Sequence, residues 1–173
     1  LNQFEGALPV LELAVDNVRP VIKTYRGGRV SRKLSTLSNT GIRALAQDQG
    51  VTLFMSLLAS VNVLLYRYSG QVDIIIGSPI AGRDHSDLND QIGFYVNTLA
   101  LRSRFSGSNN FIELLSIIKG VTLGAYEHQV YPFDELVDGL KLERNMSRHP
   151  LFDVMVTLEN VSSGESTNEG LTN

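Results

Sequence analysis

Three histidines, His85, His128 and His149, are the side chains of this 173-residue sequence whose ordinary pKa lies near neutrality, and acid/base chemistry would have to start from them. None has a second histidine at metal-ligand spacing, no serine sits in a Gly-x-Ser-x-Gly turn, and no glycine-rich phosphate loop is present. Cysteine is absent, which removes thiolate nucleophiles, thiolate metal sites and disulfides. The loop carrying Asp84, His85, Asp87 and Asp90 offers oxygen and imidazole ligands, but it lacks the spacing and central glycine of a calcium loop and reads as a solvated turn. The residues therefore supply no complete catalytic set and no metal site.

His128 stands in EHQVYPFDEL, between an expected helix and a proline. At a helix end, unpaired carbonyls and the negative pole of the helix dipole attract a donor, so His128 reads as a fold residue. Pro132 forces the chain out of the first helix, and Asp134 and Glu135 suit the start of the next. Asn97 is the other polar residue of interest. On a strand it shares a face with Tyr95, Leu99 and Leu101, and a buried amide there demands partners for four hydrogen-bonding sites. It could tie two backbone segments together or present its amide to a substrate.

The elements that must position these residues follow from periodicity. Leu1 to Thr24 has no sustained period and reads as a segment lying on the body. A strand is expected over 25–34, then a helix over 38–50 capped by Ser38 or Thr40 and stopped by Gly50. The stretch 52–69 is apolar nearly all round, with Thr52 to cap it and Gly70 to end it, which predicts a core helix. Its polar interruptions, Ser56, Ser60 and Asn62, and its length argue against a membrane span.

Ile74, Ile75 and Ile76 in succession predict a strand covered on both faces over 72–80, with Ser78 near its end, and a second long strand is expected over 92–102. Helical spacing resumes over 110–129, with Ser108 or Asn109 as cap, and Pro132 opens a short helix toward Gly139. The stretch 151–160 alternates, placing Phe152, Val154, Val156 and Leu158 on one face of a last strand. Residues 161–173 are expected to be a polar, mobile tail. Helices alternating with strands give an α/β (α+β) two-layer fold with a mixed sheet and packed helices.

The length allows one domain, and a net charge of -3 with scattered basic residues gives no field for nucleic acid. The sequence opens on Leu1 with no leader, as a piece of something longer would, and the missing cysteines fit a reducing cytoplasm.

Several blocks, in order, resemble the condensation domains of nonribosomal peptide synthetases: TYRGGRV (Thr24 to Val30), the run from Thr52 to Arg83, IGFYVNTLALR (Ile92 to Arg102), HQVYPFDELV (His128 to Val137) and RNMSRHPLFDVMVTLEN (Arg144 to Asn160). The resemblance implies one half of a chloramphenicol-acetyltransferase-like pair, with residues 1–160 as the C-terminal subdomain. The family's HHxxxDG motif, whose second histidine is assigned to amine attack on a thioester, does not occur in these residues. By residue, the resemblance puts Asn97 and Arg102 of the IGxFVNTxxxR block, with Tyr95 and Ser78, at a channel wall or interface between the halves. It makes His128, Pro132, Phe133 and Asp134, and Arg144, Ser147, Arg148 and Pro150, motif residues that hold the fold. Arg144 and Arg148 are expected to brace the last strand through carbonyls or through Asp134 or Asp138. Asn145 and His149 stand where the family commonly has Asp and Asn.

The implied reaction is amide formation between acyl or aminoacyl thioesters carried on phosphopantetheine arms. No cofactor is then bound directly, because the phosphopantetheine belongs to the carriers. The implied partners are the N-terminal half of the same domain, donor and acceptor peptidyl carrier domains and an adjacent adenylation domain, with neither nucleic acid nor membrane. Epimerisation, heterocyclisation or acyl transfer from coenzyme A on the same fold are the sister readings, and a noncatalytic carrier-binding module is the reading of another class.

Overall fold

The computed structural model describes residues 2–82, 87, 90–93, 95–142 and 145–159. Two helices come first. α1 (Thr36–Asp48) is capped by Ser35, whose hydroxyl accepts from the Ser38 N–H, so the cap lies earlier than the expected Ser38 or Thr40. α2 (Leu53–Ser69) starts at the Thr52 cap and ends at Gly70 with φ +71°, as its flanking residues predict. Among the described residues no single helix is long and apolar enough to cross a membrane. Met55, Leu58, Ala59 and Leu65 of α2 are buried in the core.

β1 (Asp73–Ile80) and β2 (Asn97–Arg104) pair antiparallel from Asp73 with Arg104 to Ile80 with Asn97. β3 (Val154–Met155) adds parallel to β1, so the sheet is mixed, in the order β2, β1, β3. α3 (Phe111–Glu127) begins with a capping box in which Asn110 and Glu113 bond each other's backbone N–H. That cap lies one residue beyond Asn109 and two beyond Ser108, the expected caps. Hydrogen bonds from Asn109 and from the Asn110 N–H hold the Glu113 carboxyl below its ordinary pKa. α4 (Phe133–Gly139) follows Pro132.

β1 is covered on both sides, as its isoleucine run predicts. Ile74 and Ile76 pack with Leu99 and Leu101 against α2 and α3, whereas Ile75 packs with Ala100, Phe4 and Phe152 under α4. The mixed α/β architecture stands, with α4 and the first residues of the chain forming a thinner cover on the second face.

Three strand expectations need correction. Residues 25–34 form no strand and are exposed: Tyr25 and Val30, the residues that suited a strand, bury neither face against the body, so no apolar contact holds the segment on a sheet edge. β2 starts at Asn97 and not Ile92, since β1 ends opposite Asn97 and Ile92 is fully exposed. The last strand is two residues long, and its alternation breaks: Phe152 packs in the second-face cluster while Val154 and Val156 join the first. Phe152 is turned under β1 at Gly77, where a Cβ would lie 2.4 Å from its ring. The expected tail, 161–173, lies outside the described residues.

Candidate functional site

β2 begins at Asn97, whose amide uses all four of its sites. Its Nδ2 donates to the carbonyls of Gln129 and Tyr131, both at 2.8 Å. Its Oδ1 accepts from the Thr98 N–H at 2.8 Å and from the Phe133 N–H at 3.1 Å. Pro132 offers no side-chain cap to α4, so Asn97 reaches across from the sheet to satisfy the first N–H of that helix. The turn between α3 and α4 is thereby fastened to the start of β2, and no amide site is left over for a substrate.

Arg102 is saturated as well. A guanidinium has five N–H donors. Here they reach the two Asp73 oxygens at 2.9 and 2.7 Å and the carbonyls of Gln3 at 3.3 Å, Glu5 at 3.2 Å and Ala7 at 2.8 Å. Its side chain is 2% exposed. Arg104 adds a bond to Asp73 at 3.3 Å and one to the Glu5 carbonyl at 2.9 Å. Burial pushes the Asp73 carboxyl up, but the hydrogen bonds and charges of Arg102 and Arg104 outweigh it and leave the pKa below its ordinary value. Arg102 thus binds the N-terminal segment to the sheet. Its partners Asp73, Gln3, Glu5 and Ala7 are what sequence reasoning missed. The available signal was an arginine inside an apolar strand, which must find acceptors when buried.

His128 caps α3, and its Nδ1 lies 2.9 Å from the Gly124 carbonyl within the last turn, the geometry of a helix-end donor. It is exposed, and it borders a groove of about 910 Å³ between α3, α4 and β2. Ser78 is buried on β1 opposite Leu99, and the Tyr95 hydroxyl donates to Gln91 at 2.9 Å. Gly82, at φ +61°, lies against the Tyr95 backbone so closely that a Cβ has no room.

At the other end of the sheet, Arg148 donates to Asp153 at 2.7 Å and to the Leu11 carbonyl at 3.3 Å. The brace expected there exists, but its carboxylate is Asp153 and not Asp134 or Asp138, because Asp153 immediately precedes β3 and faces the loop. Ser147 is held by Asn145, whose Oδ1 accepts from its N–H and hydroxyl at 2.9 and 2.6 Å. Pro150 follows the stacked His149, and Phe133 and Asp134 open α4. Arg144, Asp84 and His85 lie outside the described residues. Among the described residues no group of three or more His, Asp or Glu is placed to hold a metal.

His149 stacks on Phe152 with ring centroids 4.0 Å apart and lies near Phe133 at 5.3 Å. Its Nδ1 is buried without a partner among the described residues. Burial depresses its pKa and the charge of Lys23 adds to that, while Asp153 opposes. The folded state then favours neutral imidazole, and the unfolded chain takes up the proton first as pH falls below the ordinary 6.5. Stability contributed by neutral His149 is present above that value and is lost as the pH drops through the lower folded value. His149→Asn is expected to flatten the slope of melting temperature against pH between about 7 and 5. An unchanged slope would remove His149 as its source.

Comparison with known proteins places the sequence and the fold. Bacitracin synthase 3 of Bacillus licheniformis is 46% identical over 172 residues, covering 99% of this chain and 3% of that protein. Tyrocidine synthase 3 of Brevibacillus parabrevis is likewise 46% identical over 172 residues, covering 99% of this chain and 3% of that protein. The chain thus spans a small fraction of the length of these relatives. A four-domain nonribosomal peptide synthetase superposes with a TM-score of 0.90 at 25% identity, over 94% of this chain and 12% of that one. The X-domain from teicoplanin biosynthesis superposes with a TM-score of 0.83 at 26% identity, over 89% of this chain and 34% of that one. The fold is chloramphenicol-acetyltransferase-like, as in the condensation domains among its structural neighbours. The family model described as Condensation domain matches residues 1–172, and the chain belongs to the condensation domains of nonribosomal peptide synthetases.

Proposed function

We propose that residues 1–160 are part of the C-terminal half of a condensation domain that joins acyl or aminoacyl thioesters, borne on phosphopantetheine arms of donor and acceptor carrier domains, through an amide bond. This half supplies one channel wall and part of the carrier-docking surface, and the group that assists amine attack comes from the HHxxxDG half. The observation that carries this division is the saturation of its polar motif residues. Asn97 and Arg102 spend every donor on the protein itself, and His128 is set at a helix end. Such residues hold a wall rigid, and a rigid channel raises the effective concentration of amine and thioester for each other. The phosphopantetheine arrives with the carriers, an adenylation domain lies alongside, and the cytoplasm is the setting.

Mixed with donor-loaded and acceptor-loaded carriers, the 173-residue chain is expected to give no amide above buffer, while the intact parent domain gives product. Product formation is followed by mass spectrometry of the acceptor carrier. Sustained turnover by these residues alone would overturn the division of labour, and absence of product from the intact domain would overturn the reaction class.

A further inference from the structure

The outer edge of β2 is the unfinished part of the molecule. The Phe105 N–H donates to the Val72 carbonyl at 3.0 Å, which sets the phase of the antiparallel ladder. With the register of β1 and β2, Leu99, Leu101 and Ser103 then bond to β1, whereas Thr98, Ala100 and Arg102 turn their backbone groups away from it. Two of these outward groups are satisfied by the chain itself. The Thr98 N–H donates to Asn97, and the Arg102 carbonyl accepts from Gln3 Nε2 at 3.0 Å. Between them, the Ala100 N–H and C=O find no partner among the described residues, although Ala100 is only 6% exposed. Buried backbone groups are almost always paired, so such a gap asks for an occupant.

The slot beside this edge is the groove of about 910 Å³. α3 walls it on one side of the sheet and α4 on the other, with Asn2–Phe4 at one end. Thr98, Leu99 and Ala100 of β2 form its floor. Val121 and Ala125 line it from α3, and Phe133 and Leu136 from α4, so both faces of anything inserted in the sheet plane would meet apolar surface. Gly120 and Gly124 also line α3 here, and a Cβ at either would touch nothing within 4 Å in this chain.

We propose that an extended segment of the parent polypeptide, outside these 173 residues, enters this slot as a further strand and bonds to the Ala100 and Arg102 edge of β2. The occupant is a strand because only a strand satisfies an open ladder edge while fitting between two helical layers. Its side chains are apolar on both faces, as the two walls require. It comes from the parent because this chain covers 34% of the superposed X-domain, leaving ample polypeptide in a domain of that size. A second copy is the poorer fit: α3 and α4 both line the slot beside β2, and the same two helices of another copy would have to share that space. The inference rests on the reading of the chain as part of a longer condensation domain.

Hydrogen exchange of the Ala100 and Arg102 amides in the intact domain tests it. Protection of about a thousandfold or more over an unprotected peptide, unchanged on dilution, is the expected result. Exchange within about tenfold of the unprotected peptide would overturn the proposal. Protection that disappears on dilution would also overturn it, in favour of pairing between copies. Amide formation measured on the same preparation separates the two readings: an open edge in an active domain refutes the strand alone, and protection in a domain that makes no amide refutes the reaction alone.

Discussion

Replacing Arg102 with alanine is expected to destabilise the domain by about 3 to 5 kcal/mol, the range for breaking a buried charge pair from one side. The substitution takes two hydrogen bonds from the Asp73 carboxylate and leaves the carbonyls of Gln3 and Ala7 without their guanidinium donor, while the Glu5 carbonyl keeps only Arg104. Arg104 keeps one bond to Asp73, but its side chain is 54% exposed and water competes for it. Arg102→Lys is expected to recover only a minor part, because an ammonium cannot span two carboxylate oxygens and three carbonyls in one plane.

Denaturant unfolding of both variants measures this, and a loss below about 0.5 kcal/mol for Arg102→Ala would show that the N-terminal segment is held by its apolar contacts alone. The pH dependence carries its own sign. Asp73 has a folded pKa below its ordinary 3.8, so its contribution is complete above that value and is lost as pH falls through the folded value. Wild-type stability should drop on acidification below about pH 4, and Arg102→Ala should show a smaller drop over the same range.

The second large effect is expected at Asn97. Asn97→Ala removes two donors and two acceptors at once, from the carbonyls of Gln129 and Tyr131 and from the N–H groups of Thr98 and Phe133. A cost of about 1 to 3 kcal/mol follows if water replaces part of what is lost at this half-buried position. Asn97→Asp separates the donor role from the acceptor role. It keeps the acceptors but sets a carboxylate against two carbonyl oxygens, so near neutral pH it should cost more than alanine. Acidification should then recover part of the loss, since a protonated carboxyl can donate to one of those carbonyls. Equal stability of Asn97→Ala and wild type, with equal turnover in the intact domain, would mean that the amide is dispensable. A normal melting curve with slowed turnover would instead assign it to the channel.

These two residues spend their hydrogen bonds on the fold itself. Asn97 fixes the turn between α3 and α4 to the sheet, and Arg102 fixes the incoming N-terminal segment to the same strand.

What could be read from the sequence was what acts over a few residues. Thr52 and Gly70 bracket α2 because a cap hydroxyl and a left-handed glycine work within one turn of the helix they bound. The run of Ile74, Ile75 and Ile76 marks a doubly covered strand because side-chain direction alternates with every residue. His128 and Pro132 mark the break between α3 and α4 for similarly local reasons, and the ordered blocks from Thr24 to Asn160 pointed to the family.

Only the tertiary structure decided which partners these elements bring. Asn97 bonds to residues 32 to 36 positions away, and Arg102 to carbonyls more than 90 positions away. Neither separation leaves a periodic trace in the sequence, because such pairs depend on how the chain returns on itself. The same cause left 25–34 as exposed chain: its residues suit a strand, but strand propensity depends on a packed face, and the path of the chain brings Tyr25 and Val30 against none. Phe152 and Val154 alternate in sequence yet enter opposite cores, because the bend at Asp153, tied by Arg148, turns one ring under Gly77 before the two-residue ladder begins.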